Sequence, residues 1–578
     1  MPGGPDQQGD HHSHYTITSA VTVVTNAKTA ACVREMVKNG AVDELKKCFG
    51  ARMEFGTAGL RAAMGPGVSR MNDLTIIQTT QGFCRYLEQC FADLKERGVV
   101  IGFDAREHTA SGGSSKRFAS LAAAVLISRG VPAYLFSAFT PTPYVPFTVS
   151  HLGLCAGIMV TASHNPKQDN GYKVYWENGA QIIPPHDKGI AAAIEENLEP
   201  WPESWDTNTA SKSPLLKDPY QDIHREYLQS IQQHCFHREV NKCSEVKIVH
   251  TSVHGVGHVF VQAAFKAFDL RPPYAVKEQE DPDPEFPTVE YPNPEEGAGV
   301  LNLSFALADR EGATVVFAND PDADRLAVAE KQPRLVTVYV GCLCCYLLCY
   351  GCCKCRYDTN LSTSYFLPLS FSLAKQLLDQ GKTVLFAFEE AIGYMCSPAV
   401  LDKDGVSAAA IAGELVSYLA TKNTSLSQQL KAVYDEYGYH LTKNSYFICH
   451  DQNTIKQLFE RLRNYEGEES YPKECQGFAI TAVRDLTTGY DSNQPDSKAI
   501  LPTSKSSQMI TFTFANGGVA TMRTSGTEPK IKYYTELCAA PGNSDLNQLN
   551  AELNNLVDAI VENFFQPKKN NLTPRPDS

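Results

Sequence analysis

The sequence lacks the features that direct a chain to membranes, nucleic acids or the secretory route. Its 578 residues contain no apolar run of about 18, the length that a membrane-spanning helix needs. No basic segment precedes an apolar one at the N-terminus, so no secretory signal is expected. The chain has 52 Lys and Arg residues against 65 Asp and Glu residues. The resulting net charge of −13 argues against nucleic acid or an anionic membrane as the main partner. A cytoplasmic protein is expected.

Cysteine is not scarce, but its distribution does not indicate disulfides. Of the 18 cysteines, eleven are scattered singly, as buried small side chains are in a reducing compartment. The other seven crowd into residues 342–355. The chain far exceeds the roughly 250–300 residues at which a single core stops growing, so three to five domains are expected.

The residues around Ser163 indicate chemistry at the end of a strand. Small and β-branched residues over 157–162 predict a buried strand that stops at Ser163. Pro166 prevents a helix from running through Asn165, which places Ser163 and His164 on a loop. A hydroxyl beside an imidazole there predicts a serine that gives or receives a group, with proton transfer nearby. The plain alternative is a polar turn.

Two loops have the composition of phosphate sites. In residues 55–61, two glycines let the backbone approach an anion closely, and Arg61 offers a bidentate fork. In residues 523–530, an arginine, two hydroxyls and a glycine make a compact anion cradle. The alternatives are a glycine-rich turn with a solvated arginine and a polar hairpin.

Three carboxylates alternate in a turn after the apolar strand predicted at 314–318. Asp320, Asp322 and Asp324 can converge on one hard cation, and so few ligands favour Mg²⁺ bridging to a phosphate over a Ca²⁺ cage. Arg325 beside them could hold a phosphate or a neighbouring carboxylate. The alternative is a solvated acidic turn.

Helices and strands are predicted in alternation, which implies mainly parallel, doubly wound sheets. The predicted helices are 29–50 (as two), 74–94, 118–128, 260–268, 303–308, 406–420 and 425–437. The predicted strands are 99–103, 131–136, 170–175, 246–250, 314–318, 381–388, 509–514 and 519–523. Residues 199–217 are predicted to form a linker, because they are rich in Pro, Ser, Asp and Trp. The adjacent carboxylates of Glu389 and Glu390 follow a predicted strand and suit hydroxyl recognition, although a surface pair is equally consistent with them.

With these loops in this order, the chain resembles the α-D-phosphohexomutase superfamily, in particular its type 2 phosphoglucomutase/phosphopentomutase branch, which includes glucose-1,6-bisphosphate synthase. The matching stretches are 55–61, 161–166 with Lys173, 320–325, 389–394 with Lys403, and 523–530. The resemblance implies an α/β fold of three doubly wound domains and a C-terminal α+β domain around a central cleft. The implied parts are a tail (1–28), a phosphoserine domain (29–217), a metal-binding domain (218–332), a sugar-recognition domain (333–444), a phosphate-binding domain (445–566) and a second tail (567–578).

The resemblance also implies a function. The implied activity is that of a phosphosugar mutase, which moves phosphate between the 1 and the 5 or 6 positions of a pentose or hexose phosphate, through a phosphoserine and a bisphosphate intermediate. Mg²⁺ and an activating donor, glucose-1,6-bisphosphate or a pentose bisphosphate, are the implied cofactors, and a monomer is expected. The implied residues are Ser163, His164, Lys173 and Arg61 for catalysis; Asp320, Asp322, Asp324 and phosphorylated Ser163 for the metal; and Arg325, Glu390, Lys403, Arg523, Ser525, Gly526 and Thr527 for the substrate.

Two stretches depart from the family. Residues 333–373 replace a helix, a strand and a substrate-recognition loop, and residues 1–28 do not match the usual N-terminal segment. Alternative exon usage, a retained intron and a gene-model error all remain open as origins of residues 333–373. We expect this stretch to disturb the third domain and to impair the enzyme. Residues 389–392 also lack the serine that many relatives place after the glutamate, which is consistent with a pentose preference.

Three other functions remain open at this point. One is glucose-1,6-bisphosphate synthesis, and another is a catalytically impaired splice variant of the mutase. The third is an aspartate-based phosphatase with its nucleophile at Asp320, which would leave Ser163 and the loop at 523–530 without a role.

Overall fold

The computed structural model of the protein describes residues 26–296, 298–331, 336–339, 374–389, 391–468, 470–501, 503, 505, 507–525 and 529–575. The chain forms two compact units that divide between Leu426 and Ser427. Of the predicted N-terminal tail, only its last three residues are described, and there Asn26 caps a helix. Among the described residues, no helix is both long enough and apolar enough to cross a membrane.

The first domain of the first unit is built on a mainly parallel sheet. Its strands are β1 (Leu60–Ala63), β2 (Val99–Phe103), β3 (Glu107–His108), β4 (Gly113–Ser114), β5 (Ala133–Leu135), β6 (Ala156–Val160), β7 (Asp169–Trp176) and β8 (Leu216–Lys217). Six of them form one sheet in the order β1-β7-β6-β2-β5-β8, and β3 pairs with β4. The run β6-β2-β5-β8 is parallel, whereas β7 and β1 join it as antiparallel neighbours. The predicted α/β arrangement is confirmed here.

Helices pack on this sheet through apolar faces. They are Ala27–Lys38, Val42–Phe49, Asp73–Cys90, Leu94–Arg97, Ser115–Ser128, Tyr144–Leu152, His186–Glu196 and Thr207–Ser211. The helix Asp73–Cys90 starts at an Asn72 cap and buries a continuous apolar stripe in the domain core. Each large side chain buried in this way stabilises the fold by about 1.5–3 kcal/mol. The helix ends four residues before its predicted end, because Phe91 has extended backbone.

The stretch 199–217 is folded, so the prediction of a linker was wrong. It contains a 3₁₀ turn at Pro202–Trp205, a short helix, and β8, which pairs with β5 at the sheet edge. Trp201 and Trp205 pack against the first domain's core. The two indoles supply enough apolar surface to hold this polar stretch on the domain.

The second domain carries a five-stranded sheet. Its strands are β9 (Ile248–Thr251), β10 (Tyr274–Ala275), β11 (Val315–Ala318), β12 (Ala327–Lys331) and β13 (Val336–Tyr339). They have the order β10-β9-β11-β12-β13, with β9 parallel to β10 and β11 and the other pairs antiparallel. Its helices are Tyr220–Gln232, Arg238–Cys243, Gly257–Ala267 and Ala298–Glu311. Strand β13 extends this sheet past residue 332, where a domain boundary was predicted.

The third domain is described in part. Residues 374–379 are helical, β14 (Ala387–Glu389) pairs with β15 (Gly393–Met395), and the helix Gly405–Thr421 follows. The strand predicted over 381–388 is therefore only β14. Apart from β13, the atypical stretch 333–373 lies outside the described residues, and the expected disturbance of this domain stays a prediction.

The second unit is an α+β domain. Its strands are β16 (His440–Ile448), β17 (Glu474–Cys475), β18 (Phe478–Asp485), β19 (Tyr490–Asp491), β20 (Met509–Phe514), β21 (Gly518–Thr524), β22 (Lys530–Cys538) and β23 (Thr573–Pro574). They form one sheet in the order β17-β18-β20-β21-β22-β16-β23, with β19 beside β18. The helices are Leu426–Tyr437, which starts at the division, Gln452–Arg463 and Leu546–Ile560. The second predicted tail is folded as far as residue 575, because Leu572 is buried in this core and β23 pairs with β16.

Candidate active site

The Ser163 loop follows β6, whose residues are all buried. Ser163 is itself buried and has a φ of +53°, in the left-handed region that residues other than glycine rarely adopt. The hydroxyl of Thr161 holds this turn, since it accepts from the Ser163 amide at 2.9 Å and donates to Asp104 Oδ2 at 2.6 Å. Strained backbone of this kind persists only where its surroundings fix it, and it is common at active sites.

Arg106 holds the same loop through backbone carbonyls. Its side chain is 1% exposed and lies 3.4 Å from the carboxylate of Asp104. Its guanidinium donates four hydrogen bonds of 2.6–3.0 Å, to the carbonyls of Ser163, Asn165, Pro166 and Asp169. A planar, permanently charged fork can satisfy several carbonyls at once. The loop geometry is therefore set from inside the first domain.

The acidic loop follows β11 in the second domain. Asp320, Asp322 and Asp324 are fully buried, and one oxygen of each lies within 4.8 Å of the others. Gly255 allows a second segment to pass close to this turn, because a Cβ there would lie 2.3 Å from the Cα of Pro321. The three carboxylates converge as the sequence predicted, and they are not a solvated surface turn.

The two loops meet at the serine hydroxyl. Ser163 Oγ donates a hydrogen bond to Asp320 Oδ2 at 2.6 Å, and His164 Nδ1 lies 3.3 Å from the same Oγ. The hydroxyl is therefore polarised by a carboxylate, and an imidazole lies beside it. This pairing of a buried hydroxyl with a base is typical of an activated nucleophile.

Lys173 and Thr142 connect the acidic loop to the first domain. Lys173 Nζ donates to Asp322 Oδ2 at 2.8 Å and to Asp324 Oδ2 at 3.0 Å. Thr142 Oγ1 donates to Asp322 Oδ2 at 2.6 Å, and the Thr142 amide donates to the Asp322 carbonyl at 2.9 Å. Lys173, predicted to lie beside the serine, thus links the first sheet to the second.

The third domain contributes Glu389 and Lys403. Lys403 Nζ lies 3.4 Å from Asp324 and 3.9 Å from Glu389 Oε1, and Arg325 lies 3.8 Å from the same oxygen of Glu389. A Cβ on Gly393 would lie 2.1 Å from the Lys403 side chain, so only glycine leaves room for the lysine. Arg325 and Lys403, both predicted as substrate residues, therefore lie at the edge of the acidic loop.

Burial and charge shift the pKa values of these groups in opposite directions. Burial raises the pKa of Asp320 well above its usual value, and Asp322 and Asp324 add to the effect. Burial also acts to raise the pKa of Asp322, but Lys173 and its hydrogen bonds hold it well below its usual value. Burial raises the pKa of Glu389 to about 8, although Lys403 and Arg325 oppose the shift. Carboxylates with separated pKa values at one site are typical of functional centres.

The acidic loop fits a divalent cation. Asp322 Oδ1 and Asp324 Oδ1 are buried and accept no hydrogen bond from any residue that the structure describes. Buried carboxylate oxygens without donors are costly, and a hard cation with oxygen preference is the group that satisfies them. A donor set of three aspartate carboxylates matches the oxygen ligands that Mg²⁺ prefers.

Arg61 lies on β1, which pairs with β7, the strand of Lys173. Its guanidinium donates to Asn165 Oδ1 at 2.9 Å, within the Ser163 loop. Burial lowers the pKa of Arg61, and Asp322 acts against this shift. Arg61 thus contacts the Ser163 loop through Asn165, His164 contacts Ser163 directly, and Lys173 contacts the acidic loop. Their roles in catalysis stay predictions.

Five predicted residues either lie outside the described residues or belong to the second unit. Glu390, Gly526 and Thr527 are not among the residues that the structure describes. In the second unit, Arg523 donates to the Tyr534 hydroxyl at 3.0 Å, and the Ser525 amide donates to the Lys530 carbonyl at 2.9 Å. The role of this loop in phosphate binding stays a prediction.

Sequence reasoning missed Arg106, Asp104 and Thr142. The first two had a detectable signal, because the predicted strand 99–103 ends directly at Asp104, as other strands end at site residues. Thr142 had none: a threonine between two prolines gives no sign that it hydrogen-bonds to a carboxylate 180 residues later.

A buried serine that donates a hydrogen bond to an acidic cluster, at the strand ends of two α/β domains, fits a phosphotransferase. The chain belongs to the phosphoglucomutase/phosphomannomutase family. Family models described as phosphoglucomutase/phosphomannomutase, alpha/beta/alpha domains I and II, match residues 52–201 and 225–333. The chain is 66% identical to a phosphopentomutase of Homo sapiens over 96% of each chain. It is 52% identical to a glucose 1,6-bisphosphate synthase of Homo sapiens, over 95% of this chain and 93% of that one.

The fold is shared with distant solved structures. One is the phosphoglucomutase pp63/parafusin from Paramecium, which is 17% identical, has a TM-score of 0.61, and is matched over 89% of this chain and 95% of its own. The multi-domain phosphohexomutase fold predicted from the sequence is confirmed.

Proposed function

We propose that the protein is a phosphosugar mutase of the phosphopentomutase type, with Ser163 as its phosphate carrier. The observation that carries this assignment is the 2.6 Å hydrogen bond from buried Ser163 Oγ to Asp320 in a loop fixed at a left-handed backbone position. The human relative that is 66% identical is a phosphopentomutase, which supports a pentose phosphate as the main substrate. A hexose phosphate is the second substrate class.

The proposed reaction has two balanced phosphoryl transfers. In the first, the bond from phosphorus to Ser163 Oγ breaks and a bond from phosphorus to a sugar hydroxyl oxygen forms, giving a sugar bisphosphate. The hydroxyl proton leaves to a base and the serine recovers a proton. In the second, the other phosphate returns to Ser163 and leaves the isomeric monophosphate. A sugar bisphosphate therefore phosphorylates the serine, consistent with the bisphosphate named for the 52% identical relative.

The first-domain residues have distinct proposed roles. His164, whose imidazole lies 3.3 Å from Ser163 Oγ, is the proton carrier, because an imidazole can accept a proton at one nitrogen and donate one from the other. Lys173 stays cationic, because its two aspartates outweigh burial and raise its pKa. Arg61 and Lys173 stabilise the charge that spreads over the transferring group.

Asp320, Asp322 and Asp324 would hold Mg²⁺ together with the phosphate on Ser163. The bound ion would supply positive charge to the phosphate oxygens during transfer. Thr142 and Lys173 orient Asp322 for this role, and Arg325 flanks Asp324 at 3.7 Å.

Binding of the sugar and of the phosphate that is not transferred is assigned to residues later in the chain. Lys403 and Arg325 are assigned to sugar or phosphate oxygens, and Glu390 is assigned to sugar hydroxyls. Arg523, Ser525, Gly526 and Thr527 are assigned to the phosphate that is not transferred. We further propose that the protein acts as a cytoplasmic monomer on small phosphosugars.

A test of the function uses ribose-1-phosphate and glucose-1-phosphate, each with and without glucose-1,6-bisphosphate. We expect isomerisation of both that requires the bisphosphate, with the higher kcat/KM for the pentose. Release of free phosphate without isomerisation would instead support the aspartate-based phosphatase.

Glucose-1,6-bisphosphate synthesis is the second candidate, because a synthase is 52% identical. Net formation of glucose-1,6-bisphosphate from glucose-1-phosphate and a separate phosphoryl donor, faster than isomerisation, would favour it.

The third candidate, an impaired variant, depends on residues 333–373. The matched control is a chain in which the family's usual segment replaces them. We expect the control to turn over faster, and equal turnover would contradict an inhibitory effect of this stretch.

A further inference from the structure

The second unit contains a group of side chains of the kinds that coordinate metal ions, and the proposed reaction does not use them. His440 Nδ1, a carboxylate oxygen of Glu536 and Cys538 Sγ all lie within 4.8 Å of one another. The imidazole nitrogen is 3.1 Å from Glu536 Oε1 and 3.2 Å from the Cys538 sulfur. All three residues are half-buried, so the group is shielded and still reachable from solvent.

The strand register creates this group. In the antiparallel pair β16 and β22, His440 lies directly opposite Cys538. Glu536 is two residues before Cys538 on the same strand, so its side chain lies on the same face of the sheet. Leu537 between them is 2% exposed and packs into the core on the opposite face.

Backbone contacts fix this register next to the ligands. The Ala539 amide donates to the Tyr439 carbonyl at 2.8 Å. Gly438 has a φ of +94°, and a Cβ there would lie 2.1 Å from the Ala539 carbonyl oxygen. The two strands are therefore held together at the end where His440 and Cys538 face each other, and the ligands are positioned by the fold itself.

The contact pattern favours a metal over a catalytic thiol. In a cysteine–histidine–acid relay, the thiol and the acid contact different imidazole nitrogens. Here both approach Nδ1, so the three donor atoms converge on one point. Zinc–ligand distances of about 2.0–2.3 Å in a tetrahedron place neighbouring ligand atoms roughly 3.3–3.6 Å apart. The observed separations of 3.1 and 3.2 Å are close to this spacing.

We propose that His440, Glu536 and Cys538 form a Zn²⁺ site with one coordination position open to solvent. A thiolate, an imidazole and a carboxylate select zinc, whereas Mg²⁺ requires oxygen ligands alone. The bound ion would bridge β16 and β22. This site is independent of the proposed mutase activity.

The test is zinc protection of Cys538 from alkylation in the full chain, resolved peptide by peptide with mass spectrometry. Resolution by peptide matters, because the seven cysteines at 342–355 and the acidic loop can also take up metal. Zn²⁺ should slow alkylation of Cys538 by at least about tenfold relative to EDTA, since a metal-bound thiolate is a poor nucleophile. Exposed Cys90 and Cys243 are the internal controls and should react equally in both conditions.

Two variants distinguish zinc binding by all three residues from zinc binding by Cys538 alone. His440→Gln and Glu536→Gln should each reduce the protection of Cys538 by zinc, and far-ultraviolet circular dichroism in EDTA checks that both are folded. If one variant fails to fold, the other carries the test. Unchanged alkylation of wild-type Cys538 in zinc would overturn the proposal, and so would full protection in a folded variant that lacks His440 or Glu536.

Discussion

The Ser163 loop and the acidic loop at 320–325 have similar shapes but are held by different forces. Each follows a buried strand, and each contains a residue other than glycine in the left-handed region, Ser163 at +53° and Ala323 at +54°. The Ser163 loop is fixed by Arg106 through hydrogen bonds to carbonyls. The acidic loop is fixed mainly by ion pairs with Lys173, Arg325 and Lys403.

This difference means that one loop fixes the position of Ser163, whereas the other controls the charge around it. Carbonyl contacts to an arginine do not depend on pH or on a metal, so we expect the position of Ser163 to be insensitive to both. The acidic loop depends on the charge balance around it, so it responds to protonation and to a bound cation. One loop therefore positions the proposed phosphate carrier, and the other is proposed to set the electrostatics around the phosphate.

The largest effect is expected at Ser163. Ser163→Ala should lower kcat by more than about a thousandfold, because it removes the proposed phosphate carrier. The fold should persist, because Arg106 contacts the backbone of residue 163 and not its side chain. Steady-state mutase kinetics measure this, with Ser120→Ala on a helix surface as the control. Retention of a tenth of the activity would show that Ser163 is not the carrier.

Arg106→Lys tests the carbonyl-bound loop while keeping the charge. A lysine cannot satisfy four carbonyls, so kcat should fall by about a hundredfold and unfolding free energy by about 3 kcal/mol, as when a buried charged network is broken. Activity assays and urea denaturation measure both. Arg117→Lys is the matched control, because Arg117 bonds Asp73 with 45% of its side chain exposed and should cost about 1 kcal/mol or less. Equal effects at the two arginines would contradict the division.

Asp320→Asn tests the charge-dependent loop. Activity should fall about tenfold or more, with partial recovery in excess Mg²⁺, because one of three proposed ligands weakens. Unlike Arg106→Lys, the Asp320→Asn substitution should not lower the free energy of unfolding in EDTA at pH 7. The pKa of Asp320 is raised in the folded state, so its ionised carboxylate disfavours folding. Thermal unfolding in EDTA compares the two variants. A large loss of stability in Asp320→Asn would show that the carboxylate, like Arg106, supports the fold.

The smallest effect is expected at Glu389, through pH. Burial raises its pKa to about 8 from 4.5, so the folded state keeps a proton that the unfolded state releases between these values. The contribution of Glu389 to stability is therefore full below pH 4.5 and is lost as pH rises toward 8. Glu389→Gln should weaken the fall in stability between pH 5.5 and 8, measured by denaturation midpoints. An unchanged slope would mean that Glu389 is ionised throughout.

The sequence indicated the residues of the candidate site better than the residues that hold them in position. Ser163 and the aspartates were predictable because apolar strands end at them, and strand ends in α/β folds meet at one edge. Lys173 gave a weaker signal, and the resemblance supplied its role. Thr142 and the carbonyl contacts of Arg106 depend on how distant segments pack, and no local pattern encodes them.

Errors in the fold prediction have a physical cause as well. Residues 199–217 and 567–575 are polar enough to suggest a linker and a tail. A few apolar side chains, Trp201, Trp205 and Leu572, nevertheless anchor them to cores. Local composition does not show where a single buried side chain will find its partners.

The most direct test is to locate the phosphate after the protein reacts with glucose-1,6-bisphosphate and Mg²⁺. Peptide mass spectrometry should find one phosphate on Ser163 that survives acid and hydroxylamine. It should be absent from Ser163→Ala and should disappear when ribose-1-phosphate is added. A hydroxylamine-labile phosphate on Asp320, or no phosphate on Ser163 in a protein that isomerises sugar phosphates, would contradict the account.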